Sequence, residues 1–258
     1  MCTLVILRRP ESPWPVLIAA NRDEMLAREW AEPARHWPDR GEVVAGLDAQ
    51  AGGSWLGIND DGMVAAVLNR TGELGSAADK RSRGELVLEA LDHADADGAA
   101  AALVDLDGGA YRSFNLVVAD NRSAVWLRHT GGRRIESRPL PVGLSMLTAH
   151  DLDDPASPRV RRYLPRFRAA PVPDPAAGDW GSWIALLSAR GFDAADGPNG
   201  AMTITTDTGF GTSSSSLIAL PAIGAADIGS VWLFAAARPD QAPFVPVALE
   251  PKAALTPP

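Results

Sequence analysis

The chain has 258 residues, 46% hydrophobic and 22% charged, an ordinary balance for a globular protein of one large domain or two small ones. A formal net charge of −8 argues against a nucleic-acid binder, which needs a basic face. One cysteine excludes an internal disulfide and Cys-rich zinc sites, and the four scattered histidines lack metal-ligand spacing, so neither metal nor other cofactor is expected.

The first apolar run, Thr3–Leu7, is too short for a signal-peptide core or a membrane span. No later run is long enough either, so a cytoplasmic protein without a membrane span is expected. Thr3–Leu7 and Val16–Ala20 read as a hairpin across the turn Pro10–Pro15. Asn21-Arg22-Asp23-Glu24 follows as a polar lip at the strand end, opening a polar loop that runs from Arg22 to Arg40. Trp55–Ile58 and Val64–Leu68 flank Asn59-Asp60-Asp61-Gly62, a second hairpin.

Ser82 with Glu85 three residues on reads as a capping box before the apolar stripe Leu86, Val87, Ala90 and Leu91. Ala94–Leu106 predicts a second helix, and Phe114–Ala119 and Ala124–Arg128 a further pair of strands. Ser157-Pro158 opens a helix with proline in its first position. Arg159, Arg161, Arg162, Arg166 and Arg168 read as its solvated face.

Trp180–Arg190 predicts a helix stopped by Gly191. Strands are then expected at Ala201–Ile204, Ser216–Leu220, Ser230–Ala235 and Phe244–Val247, with Ser213–Ser216 a polar turn entering the second of them. Strands at both ends and helices grouped between them predict a layered α+β domain over residues 1–250, with 251–258 a frayed tail.

Cys2 is the residue with the strongest chemical potential. Removal of Met1 would start the chain on a residue carrying both a thiol and a free α-amine. That amine has an ordinary pKa of roughly 7.7–8.0 and can serve as base for the thiol beside it. The carboxylates of the polar lip can hold this amine, and Arg22 can bind an anionic group or polarise a carbonyl. Asn21 and Glu24 of the same lip are candidate substrate contacts.

Met-Cys-Thr at the start, then a hairpin, then Ala20-Asn21-Arg22-Asp23-Glu24 resemble the NRDE family, which includes transport and Golgi organisation protein 2. The resemblance continues through Gly52-Gly53-Ser54-Trp55-Leu56-Gly57, Ala65–Asn69, Ser82-Arg83-Gly84-Glu85-Leu86 and Phe114-Asn115-Leu116 to Leu152-Asp153-Asp154-Pro155 and Phe210-Gly211-Thr212. That family is related to the N-terminal-nucleophile (Ntn) hydrolases and is similar, more distantly, to penicillin V acylases and bile-salt hydrolases.

The resemblance implies a four-layer αββα sandwich and cleavage of a linear amide of a small molecule. It makes Cys2 the nucleophile, Asp23 the residue that positions its amine, and Asn69 a contributor to the oxyanion hole. The chain departs from the acylases at three places. Ala20 stands where they keep an arginine, with Arg22 close by. Ala149 stands near their second oxyanion asparagine, with His150 beside it as a substitute. Ser213 stands where many relatives have an arginine after Gly-Thr. The competing reading is a non-catalytic carrier of a small ligand, lipid or haem, on the same scaffold. Oligomeric state is not legible.

Overall fold

The computed structural model describes residues 2–72, 75, 77, 79–225 and 228–250. Met1, whose removal the chemistry above requires, and the tail 251–258 lie outside the described residues.

Two antiparallel sheets dominate. The first contains β1 (Thr3–Arg8), β2 (Val16–Met25), β10 (Gly143–Leu147), β11 (Phe210–Leu220), β12 (Val231–Ala235) and β13 (Val245–Pro246), in the order β10-β1-β2-β11-β12-β13. The second runs β3-β4-β5-β6-β7-β8-β9, from Trp30–Ala34, Val43–Asp48, Leu56–Asn59, Val64–Asn69, Phe114–Ala119, Ala124–His129 and Glu136–Pro139. Helices α1 (Gly84–Leu91) and α2 (Ala96–Val104) cover the second sheet, and α3 (Pro158–Ala169) and α4 (Gly181–Leu187) cover the first.

The period-2 alternation of strands distributes the core. Leu4, Ile6 and Ile18 of the first sheet meet Leu56, Val64, Ala66 and Leu68 of the second between the sheets. Their neighbours Val5, Leu7, Leu17 and Ala19 point the other way, onto Val160, Tyr163, Leu164 and Phe167 of α3 and onto Trp183. The outer face of the second sheet packs on Leu86, Val87, Ala90 and Leu91 of α1. Both sheets are therefore buried on both faces, and the architecture is a four-layer αββα sandwich, an α+β fold as expected. None of the described helices is long and apolar enough to cross a membrane.

Several local expectations change. Asn21–Glu24 is not a lip beyond a strand: it lies inside β2, paired with β11 out to Met25 and Phe210. Ser213–Ser216 likewise belongs to β11 and is buried. Ala201–Ile204 is buried but forms no strand; the backbone amides of Met202 and Thr203 both bond to the carbonyl of Ala189. Its apolar run records burial against α4. Around α1, Glu85 turns to Arg81 at 2.8 Å instead of closing a capping box, and Ser82 accepts only from the amide of Gly84. Strands β3, β4, β9 and β10 were absent from the sequence reading. β9 is an exposed edge strand, so it has no apolar alternation to reveal it.

Candidate active site

Cys2 sits at the foot of β1, and its thiol donates to the backbone carbonyl of Asp23 at 3.6 Å. The pairing of Thr3 with Asn21 sets the start of the chain beside the Asn-Arg-Asp-Glu segment. Because successive β2 side chains alternate, Asn21 and Asp23 turn toward the helices while Arg22 turns into the cleft between the sheets.

Asp23 is fully buried and held on both oxygens. Thr212 Oγ1 donates to Oδ1 at 2.7 Å, and Arg159 Nη1 to Oδ2 at 2.9 Å. Arg159 also reaches Thr3 Oγ1 at 2.5 Å, so the carboxylate, the guanidinium and the first residue of β1 form one buried group. Ser157, the N-cap of α3, accepts from the amide of Val160 and fixes the helix end from which Arg159 projects.

Arg22 is also buried, but in the cleft. Its guanidinium lies 4.3 Å from the centroid of the Trp55 ring and donates to Ser213 Oγ at 2.9 Å. Among the described residues no carboxylate forms an ion pair with it. Burial pulls its pKa below the ordinary arginine range, with Cys2 and Glu24 acting in the opposite direction. Ser213 occupies a β-bulge in β11, between Thr212 opposite Asp23 and Ser214 opposite Arg22. The extra residue shifts the phase of the strand, which lets Thr212 face the same side as Asp23.

Two openings meet at Cys2, Arg22, Trp55 and Val67. One is a slot of about 20 Å³ between the sheets, walled by Leu4, Ala20, Leu56, Ala66, Leu68 and Ser214. The other is a cavity of about 190 Å³ that includes Asn69 and Glu24 and is rimmed by Arg28, Lys80 and Arg81. Asn69 closes β6, opposite Phe114. Glu24 caps its neighbour Met25 through Oε1 at 2.8 Å and lies 4.0 Å from Arg28.

Burial pushes the Cys2 thiol up, the charge of Asp23 adds to this, and Arg22 pulls it back. The thiol is thus held protonated near neutrality, so its use as a nucleophile requires a base on the spot. No histidine lines either opening.

The expected site residues are not all gathered. Cys2, Arg22, Asn69 and Glu24 border the larger cavity; Asp23 lines neither opening and meets Cys2 through its backbone carbonyl. The side chain of Asn21 instead donates to the carbonyls of Leu187 and Met202 at 3.0 and 2.9 Å and accepts from Ser215 at 2.7 Å, tying α4 to the first sheet. His150 borders neither opening and lies 4.0 Å from Asp154. Ala149 is buried, its carbonyl bonded to the amide of Thr71 at 3.2 Å.

Sequence reasoning missed Arg159, because it was grouped with the arginines of a solvated helix face. Arg161, Arg166 and Arg168 are indeed exposed, but Arg159 is buried. Its spacing of four and eight residues from Tyr163 and Phe167 was the available signal, since that places it on the apolar face of α3.

Comparison with known proteins agrees with this architecture. The chain is similar to a penicillin V acylase from Agrobacterium tumefaciens, with TM-score 0.53 and 15% identity over 92% of this chain and 83% of that one. It is similar also to the C2A mutant of conjugated bile acid hydrolase from Clostridium perfringens, with TM-score 0.52 and 11% identity over 97% of both chains. At these identities the likeness is one of fold, that of the Ntn hydrolases.

Sequence relatives are the mouse Transport and Golgi organization 2 homolog, 35% identical over 114 residues, and its human counterpart, 36% identical over 119. Those matches take in 43% and 44% of this chain and span 40% and 42% of the relatives' own lengths. The profile of Transport and Golgi organisation 2 matches residues 1–170, most of the chain, and the chain therefore belongs to that family.

Proposed function

We propose that this chain hydrolyses a linear amide of a small molecule, with Cys2 as nucleophile after loss of Met1. The observation that carries this reading is the junction at Cys2. The chain's sole thiol borders both openings, is kept protonated by burial, and has no histidine in either opening to deprotonate it. Its own α-amine is the base that meets this need. One fold neighbour is named as an acylase and the other as a hydrolase, the latter being a C2A mutant.

In the proposed reaction the amine takes the thiol proton and Sγ attacks the carbonyl carbon. The proton then passes to the departing nitrogen, the C–N bond breaks, and a thioester remains. Water deprotonated by the same amine adds to the thioester, the C–S bond breaks, the proton on the amine returns to Sγ, and the acid leaves. Asp23, immobilised by Arg159 and Thr212, orients the amine. Asn69 and Arg22 meet the charge that develops on the carbonyl oxygen.

The test uses protein shown by intact mass to begin at Cys2. A thiol-reactive acyl probe is expected to label the wild type near neutral pH, to leave Cys2→Ala unlabelled, and to label Asp23→Ala more slowly. An unlabelled wild type overturns the reading. Saturable binding of haem or a lipid without turnover would point instead to a carrier.

A further inference from the structure

The slot below Cys2 holds a polar group that the chemistry above does not use. Ser214 is buried, and its hydroxyl has no hydrogen-bond partner among the described residues. Its immediate neighbours on β11 are satisfied, Thr212 by Asp23, Ser213 by Arg22 and Ser215 by Asn21, while Ser216, two residues on, also lines the slot. Burying a hydroxyl without a partner is unfavourable. Such a group is explicable where a ligand supplies the missing partner.

Position says which part of a ligand that is. Ser214 pairs with Arg22, so it stands one strand from Arg22 and a second strand away from β1, where Cys2 sits. At about 4.8 Å per strand, its backbone lies roughly 10 Å from that of Cys2. This is too far to serve the carbonyl oxygen of a group bonded to Sγ, but it suits an atom a few bonds further along. The slot, at about 20 Å³, has room for about one water-sized group; its other walls include the apolar Leu4, Ala20, Leu56, Ala66 and Leu68, and Ser216. The cavity of about 190 Å³ is the roomier of the two openings.

We infer that the slot receives the acyl part of the substrate and that Ser214 selects a short acyl group bearing a polar atom, such as a 2-hydroxyacyl group. This rests on the reading of Cys2 as nucleophile. The thioester it forms keeps the acyl part in the slot while the amine departs through the larger cavity.

The test compares p-nitroanilides of glycolic, propionic and hexanoic acid by release of p-nitroaniline, in wild type and Ser214→Ala. The wild type is expected to favour the glycolyl substrate over the propionyl by about tenfold in kcat/KM, the worth of one well-placed hydrogen bond. Ser214→Ala should bring the two within about twofold and melt no lower than wild type, because no protein partner is lost. Equal rates in the wild type, or fastest release from the hexanoyl compound, overturn the inference.

A second arm is independent of turnover. In Cys2→Ala, glycolamide should shift NMR signals of the slot residues more strongly than propionamide, and the difference should vanish when Ser214→Ala is added. Equal binding of the two amides overturns the slot assignment even if Cys2 proves reactive. A retained difference with an inert Cys2 leaves the slot standing and removes the hydrolase reading alone.

Discussion

Arg159 and Asp23 lie 136 positions apart in sequence and 2.9 Å apart in space, with side chains only 1% and 0% exposed. This ion pair ties the second helical layer to the strand that flanks Cys2. It also determines which substitutions near the site will act on the fold as well as on the chemistry.

Removing one partner of such a pair strands the other charge away from water. Arg159→Met is expected to cost about 3–5 kcal/mol of stability in urea unfolding. Asp23→Asn combined with Arg159→Met should cost less than the two single changes summed. Additive costs would show that the two residues are not energetically coupled.

The raised thiol predicts a pH profile. Alkylation of Cys2 by iodoacetamide should keep accelerating above pH ~8.5, the ordinary thiol midpoint, and Arg22→Met should move the midpoint further up by removing the cation that favours thiolate. Stability is linked in the same sense. With the folded pKa above the unfolded one, the contribution of Cys2 is complete below the ordinary thiol pKa and declines as pH rises through the folded value. Wild type and Cys2→Ser should therefore converge or cross in stability on the alkaline side, while their difference stays flat below pH ~8.

Trp55 is held from three directions, and this makes Gly46 a sensitive position. A Cβ at Gly46 would come within 2.4 Å of the Trp55 ring, which packs edge-on against Trp30 at 5.8 Å and under Arg22 at 4.3 Å. Gly46→Ala should cost about 1–3 kcal/mol and, by displacing the indole, alter the rate of Cys2 labelling. Labelling kinetics that match wild type would show that Trp55 does not position Arg22.

Tyr111 lines neither opening and offers a second titration to follow. Its hydroxyl is buried without a hydrogen-bond partner among the described residues, and burial, followed by the charge of Glu89, pushes its pKa up to about 12. Its contribution to stability should be complete below pH ~10 and be lost as pH climbs toward the folded value. Tyr111→Phe is expected to be near neutral at pH 7 and to flatten the alkaline limb of the stability curve.

Much of this was legible in the residues. Continuous apolar runs located β1, the first half of β2, β6, β7 and β8, and Ser157-Pro158 marked the start of α3. Cys2 and the Asn-Arg-Asp-Glu segment drew attention by residue type alone. What stayed hidden is what apolar runs cannot express. Polar residues buried inside a sheet, such as Asn21, Asp23 and Ser213–Ser216, look like turns because their partners are remote in sequence. Arg159 looked solvated because its carboxylate partner comes from another layer. The bulge at Ser213 leaves no local mark, since it is defined by the phase of the neighbouring strand.

The opposite facings of Arg22 and Asp23 give β2 a parity. Arg22 reaches the cleft and Asp23 the helices only because a fixed number of residues separates them from the apolar positions Leu17, Ile18 and Ala19. Inserting or deleting one residue between Ala19 and Asn21 would exchange the two roles, sending the cation among the helices and the carboxylate into the cleft, with composition almost unchanged. Inserting two would restore the facings but slide the whole motif one pleat past Cys2. In this segment, length carries as much of the specification as the amino acids do.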